Sequence, residues 1–372
     1  MEKNNQIKKE IDKIIKKSEN GDIETLKKVK SAYLPILNGI KESLKIINIK
    51  IDNYIPESTF VKNKSVNFVI NKLNNLNYLK RENKSYYIDL KPYGIKGRNT
   101  KFILTRNDGT TLYATRDIAY HIWKNNNADI IINILGEDHK LESKQVEIIL
   151  KLLKIKKIPI PIFYSFVSMP GGKMSTRKGR VVYLDDLINE CIKRAFSEIK
   201  KRRGEELSNK KMKKISEIIG IGALRYNIIK VQPEKDIVFN WSDALNFEGN
   251  SAPFIQYSHA RTCGIISKIK NNKKNLKSNY KLLKHKSEYK IIRNIAEFPL
   301  IIEEAYKNYK PHILTNYLYN IASNFNQFYR DCPVISKENI ELQNARLMIV
   351  FATKIVIKNG LNLLGIDAPN EM

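Results

Sequence analysis

The chain has 372 residues, 42% hydrophobic and 28% charged, enough length for two domains and enough apolar residues to bury cores. Lys and Arg number 66 against 38 Asp and Glu, a net charge of +28 at pH 7 that points to a polyanionic partner. A chain this rich in Lys, Asn and Ile also fits AT-rich coding, so charge alone leaves both readings open. No apolar run approaches the roughly 18 residues of a membrane span, and the N-terminal stretch lacks the apolar core of a signal peptide. Cys191, Cys263 and Cys332 are odd in number, with no Cys-x-x-Cys pairing. A cytoplasmic protein with reduced thiols, no membrane contact and no bound metal is expected.

Residues 1–50 predict amphipathic helices, with Ile7, Ile11, Ile14 and Ile15 along one face. From about Ile49 the pattern turns to short β-like runs, IDNYIPES, SYYIDL and KFILTR, with a hairpin turn at Asn107-Asp108-Gly109. The run DIIINILGEDHK lacks polar alternation, which predicts a strand buried on both faces of a parallel sheet. LESKQVEIILKLLKIKK reads as a helix and IPIPIFYSFVSM as the next strand. A loop, PGGKMSTRKGR, then leads to a helix opened by Asp185 and Asp186. Strand–helix–strand alternation predicts a doubly wound α/β domain whose ligands bind at the strands' carboxyl ends. Beyond about residue 190 helical patterns dominate, predicting a second, all-helical domain; only NNKKNLKSN (271–279) reads as flexible.

Four constellations could carry chemistry. The loop 171–180 combines glycines, two hydroxyls and four cations, a composition suited to phosphate oxygens and equally to a solvated basic turn. In Gly136-Glu137-Asp138-His139, a carboxylate and an imidazole sit where a strand meets a helix, although an Asp there is often only a cap. Tyr113 and Asp117, four apart, could converge on a pocket for a guanidinium or ammonium group if Asp117 opens a helix; Asp117 could instead pair with Arg116 or cap. Phe254, Tyr257 and Arg261 recur at three- and four-residue spacing, a face that fits helix core or the stacking of unpaired bases.

Together these segments resemble the arginyl-tRNA synthetases of class I. GGKMSTRKGRVVYLDDLI resembles that class's second signature. DGTTLYATRDIAYHIW, LGEDHKLESKQVEIILKLL, ALRYNIIKVQPEKDIVFNWSDALNFEGNSAPFIQYSHAR, PHILTNYLYNIASNFNQFYRDC and NGLNLLGIDAPNEM follow in family order. The resemblance runs from about residue 20 to Met372. It implies the C-terminal half of a Rossmann-like nucleotide-binding domain (1–190, with the signature loop 171–180), a helical connector (191–250) and an all-α anticodon-binding bundle (251–372). It also implies ATP-dependent attachment of arginine to tRNA(Arg) through an arginyl-adenylate, with ATP entering as its magnesium complex. By the same resemblance Tyr113, Asp117 and His139 bind arginine, Gly136 and Asp138 contact adenosine, and Lys173, Met174 and Ser175 stabilise the triphosphate. Phe254, Tyr257, Arg261, Tyr329 and Met372 approach the anticodon loop.

The chain departs from the family pattern at three places. Thr176 replaces the signature's second lysine, a charge that Arg177 or Lys178 would have to supply, and Glu137 stands where relatives often have a small residue. No His-x-Gly-His motif occurs in the 372 residues. We therefore expect an N-terminal half bearing that motif to be supplied by another polypeptide, or the chain to be a truncated product. The alternative is an inactive tRNA-binding module, a reading that leaves Tyr113, Asp117 and the signature loop without a role.

Overall fold

The structure, a computed structural model, describes residues 2–97, 99–170, 183–269, 278–336 and 338–372. By its internal contacts the chain forms two compact units, one of residues 1–41 and 51–164 and the other of 42–50 and 165–372.

The first unit opens with α1 (Glu2–Glu19) and α2 (Ile23–Ile46). Ile7, Ile11, Ile14 and Ile15 lie on α1 as their spacing predicts, but the stripe remains exposed. The stretch expected to be β-like at 51–56 is irregular. It carries Pro56, which has no N–H to give a ladder, and it leads into α3 (Ser58–Lys62) and α4 (Ser65–Asn75). An antiparallel meander follows: β1 (Lys80–Glu82), β2 (Ser85–Asp89) and β3 (Lys101–Ile103). The turn at Asn107-Asp108-Gly109 forms as expected: the Arg106 amide donates to the Thr110 carbonyl and Thr105 bridges Thr111.

α5 (Tyr113–Asn127) then leads to β4 (Ile132–Gly136), a single 3-10 turn (Glu137–His139), α6 (Lys140–Leu152) and β5 (Ile160–Tyr164). β4 and β5 pair in parallel from Ile132↔Ile160 to Gly136↔Tyr164, the strand–helix–strand unit predicted from the apolar runs. Phe60, Val69, Leu73, Ile88, Leu104, Ile118 and Ile149 form the core beneath. β4 is not buried on both faces. Ile132 is 42% and Ile134 62% exposed. Among the described residues this sheet has two strands.

In the second unit, β6 (Val167–Ser168) pairs in parallel with β7 (Ile237–Val238), a strand that the fading β signal beyond residue 190 did not announce. α7 (Leu184–Arg203), with Asp185 and Asp186 in its first turn as predicted, packs along α8 (Asn209–Ile229). Their approach is so close that a Cβ on Gly220 would sit 2.9 Å from the backbone of Cys191 and Ile192. Beyond the short α9 (Trp241–Ala244), the helices α10 (Ala252–Lys268), α11 (Lys286–Asn308), α12 (His312–Asp331) and α13 (Ile340–Leu363) form a bundle. Ile255, Ile291, Leu318, Ile321, Phe325, Phe328, Val350 and Ile357 are buried in its core. The stretch expected to be flexible, 271–279, falls mostly outside the described residues.

The segment 42–50 also belongs to this unit. Arg225 donates to the Ile47 carbonyl and, through Nε and Nη2, to that of Leu364 at 3.1 and 2.7 Å. Asn48 Nδ2 reaches the Gly365 carbonyl at 3.3 Å. The residues after α13 are fixed by Gln256 donating to the Asp367 carbonyl (2.8 Å) and by His259 Nδ1 at 2.8 Å from the Pro369 carbonyl.

Candidate active-site half and nucleic-acid interface

In the first unit, α5 begins at Tyr113, so Asp117 lies one turn inside the helix and does not open it. Tyr113 and Asp117 are therefore separated by one helical turn on a shared face, yet they line different cavities. Asp117 opens into one of about 350 Å³, walled by α5, β4 and α6, whose lining includes His121, Lys124, Asn133 and His139. Tyr113 lies at another, of about 610 Å³, between α5 and the N-terminal helices. Its ring stacks under the Arg116 guanidinium at 4.8 Å.

Arg116 is not the partner of Asp117. It is buried against Glu19 and has Nε 3.0 Å from Glu57 Oε2, so the internal pairing open to Asp117 by sequence is already taken up elsewhere. Asp117 instead has Oδ1 3.3 Å from His121 Nδ1, and its carbonyl oxygen is 2.8 Å from the same nitrogen. His121 is 3% exposed. Asn133 Nδ2 lies 2.8 Å from His121 Nε2, and Lys124 Nζ donates to Asn133 Oδ1 at 3.0 Å. Burial pulls the Lys124 ammonium below its ordinary pKa, with the negative charge of Asp117 opposing that shift. This polar chain escaped the reading of the sequence. The one available signal was the four-residue spacing of Asp117 and His121, since Asn133 comes from the next strand.

The Gly-Glu-Asp-His segment sits at the carboxyl end of β4, where ligands of parallel sheets bind. A Cβ on Gly136 would lie 2.5 Å from Asp138 Oδ1, so any larger residue there would have to displace that exposed carboxylate. Asp138 does not cap α6; its carboxylate is 67% exposed and 3.8 Å from His139 Nε2. His139 bonds Glu142 at 2.8 Å. Lys173, Met174, Ser175, Arg177 and Lys178 lie outside the described residues.

In the second unit, Phe254, Tyr257, Arg261 and Met372 line one cavity of about 770 Å³, with Arg202, Arg203, Phe247, Tyr319, Asn326 and Arg330. Ser251 caps α10 by accepting from the Phe254 amide, which sets the helix's start and the facing of its aromatic stripe. Arg261 stacks on Tyr257 (4.7 Å) and Tyr329 (5.3 Å). It also donates to Asn326 Oδ1 at 2.7 Å and to the Tyr257 hydroxyl at 3.1 Å. Phe254 packs against Tyr319 at 5.4 Å, half in the core. Arg202 stacks on Phe247 at 4.7 Å, and Arg203 donates to the Met372 main-chain oxygen. The Met372 side chain is 8% exposed and belongs to the core of α7 and α8. Planar rings beside guanidinium groups in a cationic concavity suit unpaired bases and their phosphates. Arg202 and Arg203 were missed because they lie on α7, far from the α10 stripe in sequence, and Phe247 because it precedes α10 and shares none of its helical spacing.

Among the described residues no cluster of His, Cys, Asp or Glu could hold a metal ion. Among the same residues no helix is long and apolar enough to cross a membrane.

The fold is that of a class I tRNA synthetase catalytic domain joined to a helical anticodon-binding domain. Residues 1–241 match the family described as tRNA synthetases class I (R), catalytic domain, and residues 255–372 match the DALR anticodon binding domain. The chain belongs to the arginyl family of class I tRNA synthetases. It is 42% identical over 366 residues to an arginine–tRNA ligase of Methanocella arvoryzae, which covers 98% of this chain and 63% of that protein. It is 44% identical over 356 residues to one from Methanocaldococcus jannaschii, covering 95% and 60%. The chain thus spans less than two thirds of the length of these relatives. Among solved structures it resembles the Thermus thermophilus arginyl-tRNA synthetase, with a TM-score of 0.81, 22% identity and coverage of 94% of this chain and 66% of that one. It also resembles the Mycobacterium tuberculosis methionyl-tRNA synthetase, with a TM-score of 0.64, 10% identity and coverage of 88% and 77%; both likenesses are of fold. The catalytic-domain match begins at residue 1, so it gives no support to an N-terminal half supplied by another polypeptide.

Proposed function

We propose that the chain serves the ATP-dependent attachment of arginine to tRNA(Arg). The observation that carries this reading is the cavity at the carboxyl end of β4, where Asp117 and His139 converge in a member of the arginyl family. A carboxylate partly withdrawn from water suits a guanidinium, which can bond it through two parallel N–H groups. In this reading Asp117 and His139 hold arginine, with Tyr113 reaching it from one helical turn away on the same face of α5, while Gly136 and Asp138 hold the adenosine of ATP. Lys173, Met174, Ser175, Arg177 and Lys178 offset the charge of the magnesium-bound triphosphate as the arginyl-adenylate forms. The helical unit takes the anticodon loop on Phe254, Tyr257, Arg261, Tyr329 and Met372. Functional boundaries near 190 and 250 separate catalysis, stem contact and anticodon contact, and a cytoplasmic location fits three free thiols.

The test is charging of total tRNA with labelled arginine, against lysine, glutamate and cysteine. The relatives are longer than the matched segment and the 372 residues contain no His-x-Gly-His. The assay is therefore run with the chain alone and with a segment bearing that motif added. Charging with arginine in either arm supports the proposal. If only the supplemented arm charges, the need for a separate N-terminal half is established. Binding of tRNA without charging in both arms overturns the catalytic reading in favour of a tRNA-binding module.

A further inference from the structure

The polar chain behind Asp117 holds more than a packing role requires. A histidine ring can carry its single proton on either nitrogen, and which one is set by its neighbours. Lys124 Nζ can only donate, so the Asn133 atom facing it at 3.0 Å is the carbonyl oxygen. That choice turns the Asn133 NH2 group toward His121 Nε2, 2.8 Å away. Nε2 must then accept, and the ring proton resides on Nδ1. There it is shared between the Asp117 carbonyl oxygen at 2.8 Å and carboxylate Oδ1 at 3.3 Å.

We propose that Lys124 and Asn133 hold His121 as the neutral Nδ1–H tautomer, and that His121 is thereby a positioning residue that fixes the Asp117 carboxylate for a guanidinium substrate. This rests on the reading of Asp117 as an arginine ligand. Two consequences separate it from simple packing. A neutral ring restrains the carboxylate without neutralising it, so the charge stays available to the ligand. A proton on Nε2 would oppose two donors across 2.8 Å, and turning the Asn133 amide to relieve this would oppose its NH2 group to Lys124. The other titratable groups lining the cavity are His139 of the 3-10 turn, Tyr120 of α5, and Glu142 and Glu147 of α6. His139 is bonded to Glu142 and Glu147 to Lys151, and neither pair bonds the imidazole of His121.

The first experiment is nitrogen-15 NMR of the imidazoles in the full chain, which needs no turnover. The expected result is an Nδ1–H ring for His121, with Lys124→Met admitting the Nε2–H form. An Nε2–H ring in the unaltered chain, or no change in Lys124→Met, overturns the proposal. The second experiment compares arginine binding by calorimetry. An asparagine side chain places its NH2 group near the site of Nδ1, whereas glutamine places it near Nε2. His121→Asn should keep arginine affinity within about threefold, and His121→Gln should weaken it about tenfold, the scale of one hydrogen bond to a charged group. Equal losses in both variants, with Asp117→Asn strongly impaired, defeat the positioning role but keep the arginine site. Unchanged binding in Asp117→Asn defeats the arginine site itself, and the NMR result then still decides the tautomer.

Discussion

The cavity beside β4 and the cavity along α10 present opposite charges by a common device. Asp117 is held by a histidine and Arg261 by an amide and two phenol rings, and in the function proposed above each keeps its charge for a ligand rather than spending it on an internal ion pair. Charges with a structural role behave differently: Arg116 is buried against Glu19, and the fully buried Glu288 meets Arg346 Nε at 2.7 Å. The two cavities differ in their support. The first leans on a sheet that has two strands among the described residues and an exposed face on β4, whereas the second stands on a packed helical core. The partner of a charge thus indicates its use, and the support behind it indicates how a mutation there will register.

Core truncation should separate the two supports most sharply. Phe325→Ala removes a fully buried ring from the helical unit and should cost roughly 3–5 kcal/mol of stability, read from urea unfolding. Ile134→Ser on the open face of β4 should change stability by less than about 0.5 kcal/mol. Comparable losses would mean that the open face is covered in solution. Asp117→Ala should weaken arginine binding by roughly 30- to 100-fold, the range for a hydrogen-bonded charge, and leave tRNA affinity unchanged; calorimetry and filter binding check the two halves. Arg261→Ala should do the reverse more weakly. A loss of about tenfold in tRNA affinity is expected from lost stacking and phosphate attraction, with arginine binding unaltered.

The smallest effect is with pH. Burial, partly opposed by the hydrogen bond with the Pro369 carbonyl, lowers the pKa of His259 below its ordinary 6.5, and burial lowers that of His312 as well. The unfolded chain then takes up protons first as pH falls, so the stabilisation present above pH 6.5 is lost as pH drops through that value toward the folded pKa. The unfolding midpoint of the helical unit should decline between pH 7 and 5. His259→Asn, which retains a donor toward Pro369, should flatten that slope.

Features with a local period were legible in the sequence. The unbroken apolar run gave β4, the four-residue stripe gave the facing of Phe254, Tyr257 and Arg261, and Asn107-Asp108-Gly109 gave its turn. Burial of β4 on both faces was misjudged, because an apolar run reports what a strand can bury and not how many layers cover it. The start of α5 was left open because no side chain caps it: Leu112 precedes Tyr113 in extended conformation without a side-chain bond. His121 and Asn133 bond across twelve positions and Arg203 and Met372 across 169, separations that no periodicity encodes.

Arg225 ties together the carbonyls of Ile47 and Leu364, and Asn48 touches Gly365, 317 positions along the chain. During synthesis the segment 42–50 leaves the ribosome long before the helices that receive it, and its last contacts await residues near 365. The helical unit therefore cannot close vectorially, domain by domain, as the chain emerges. Its assembly waits on some of the most distant contacts in the sequence, a topology that slows folding.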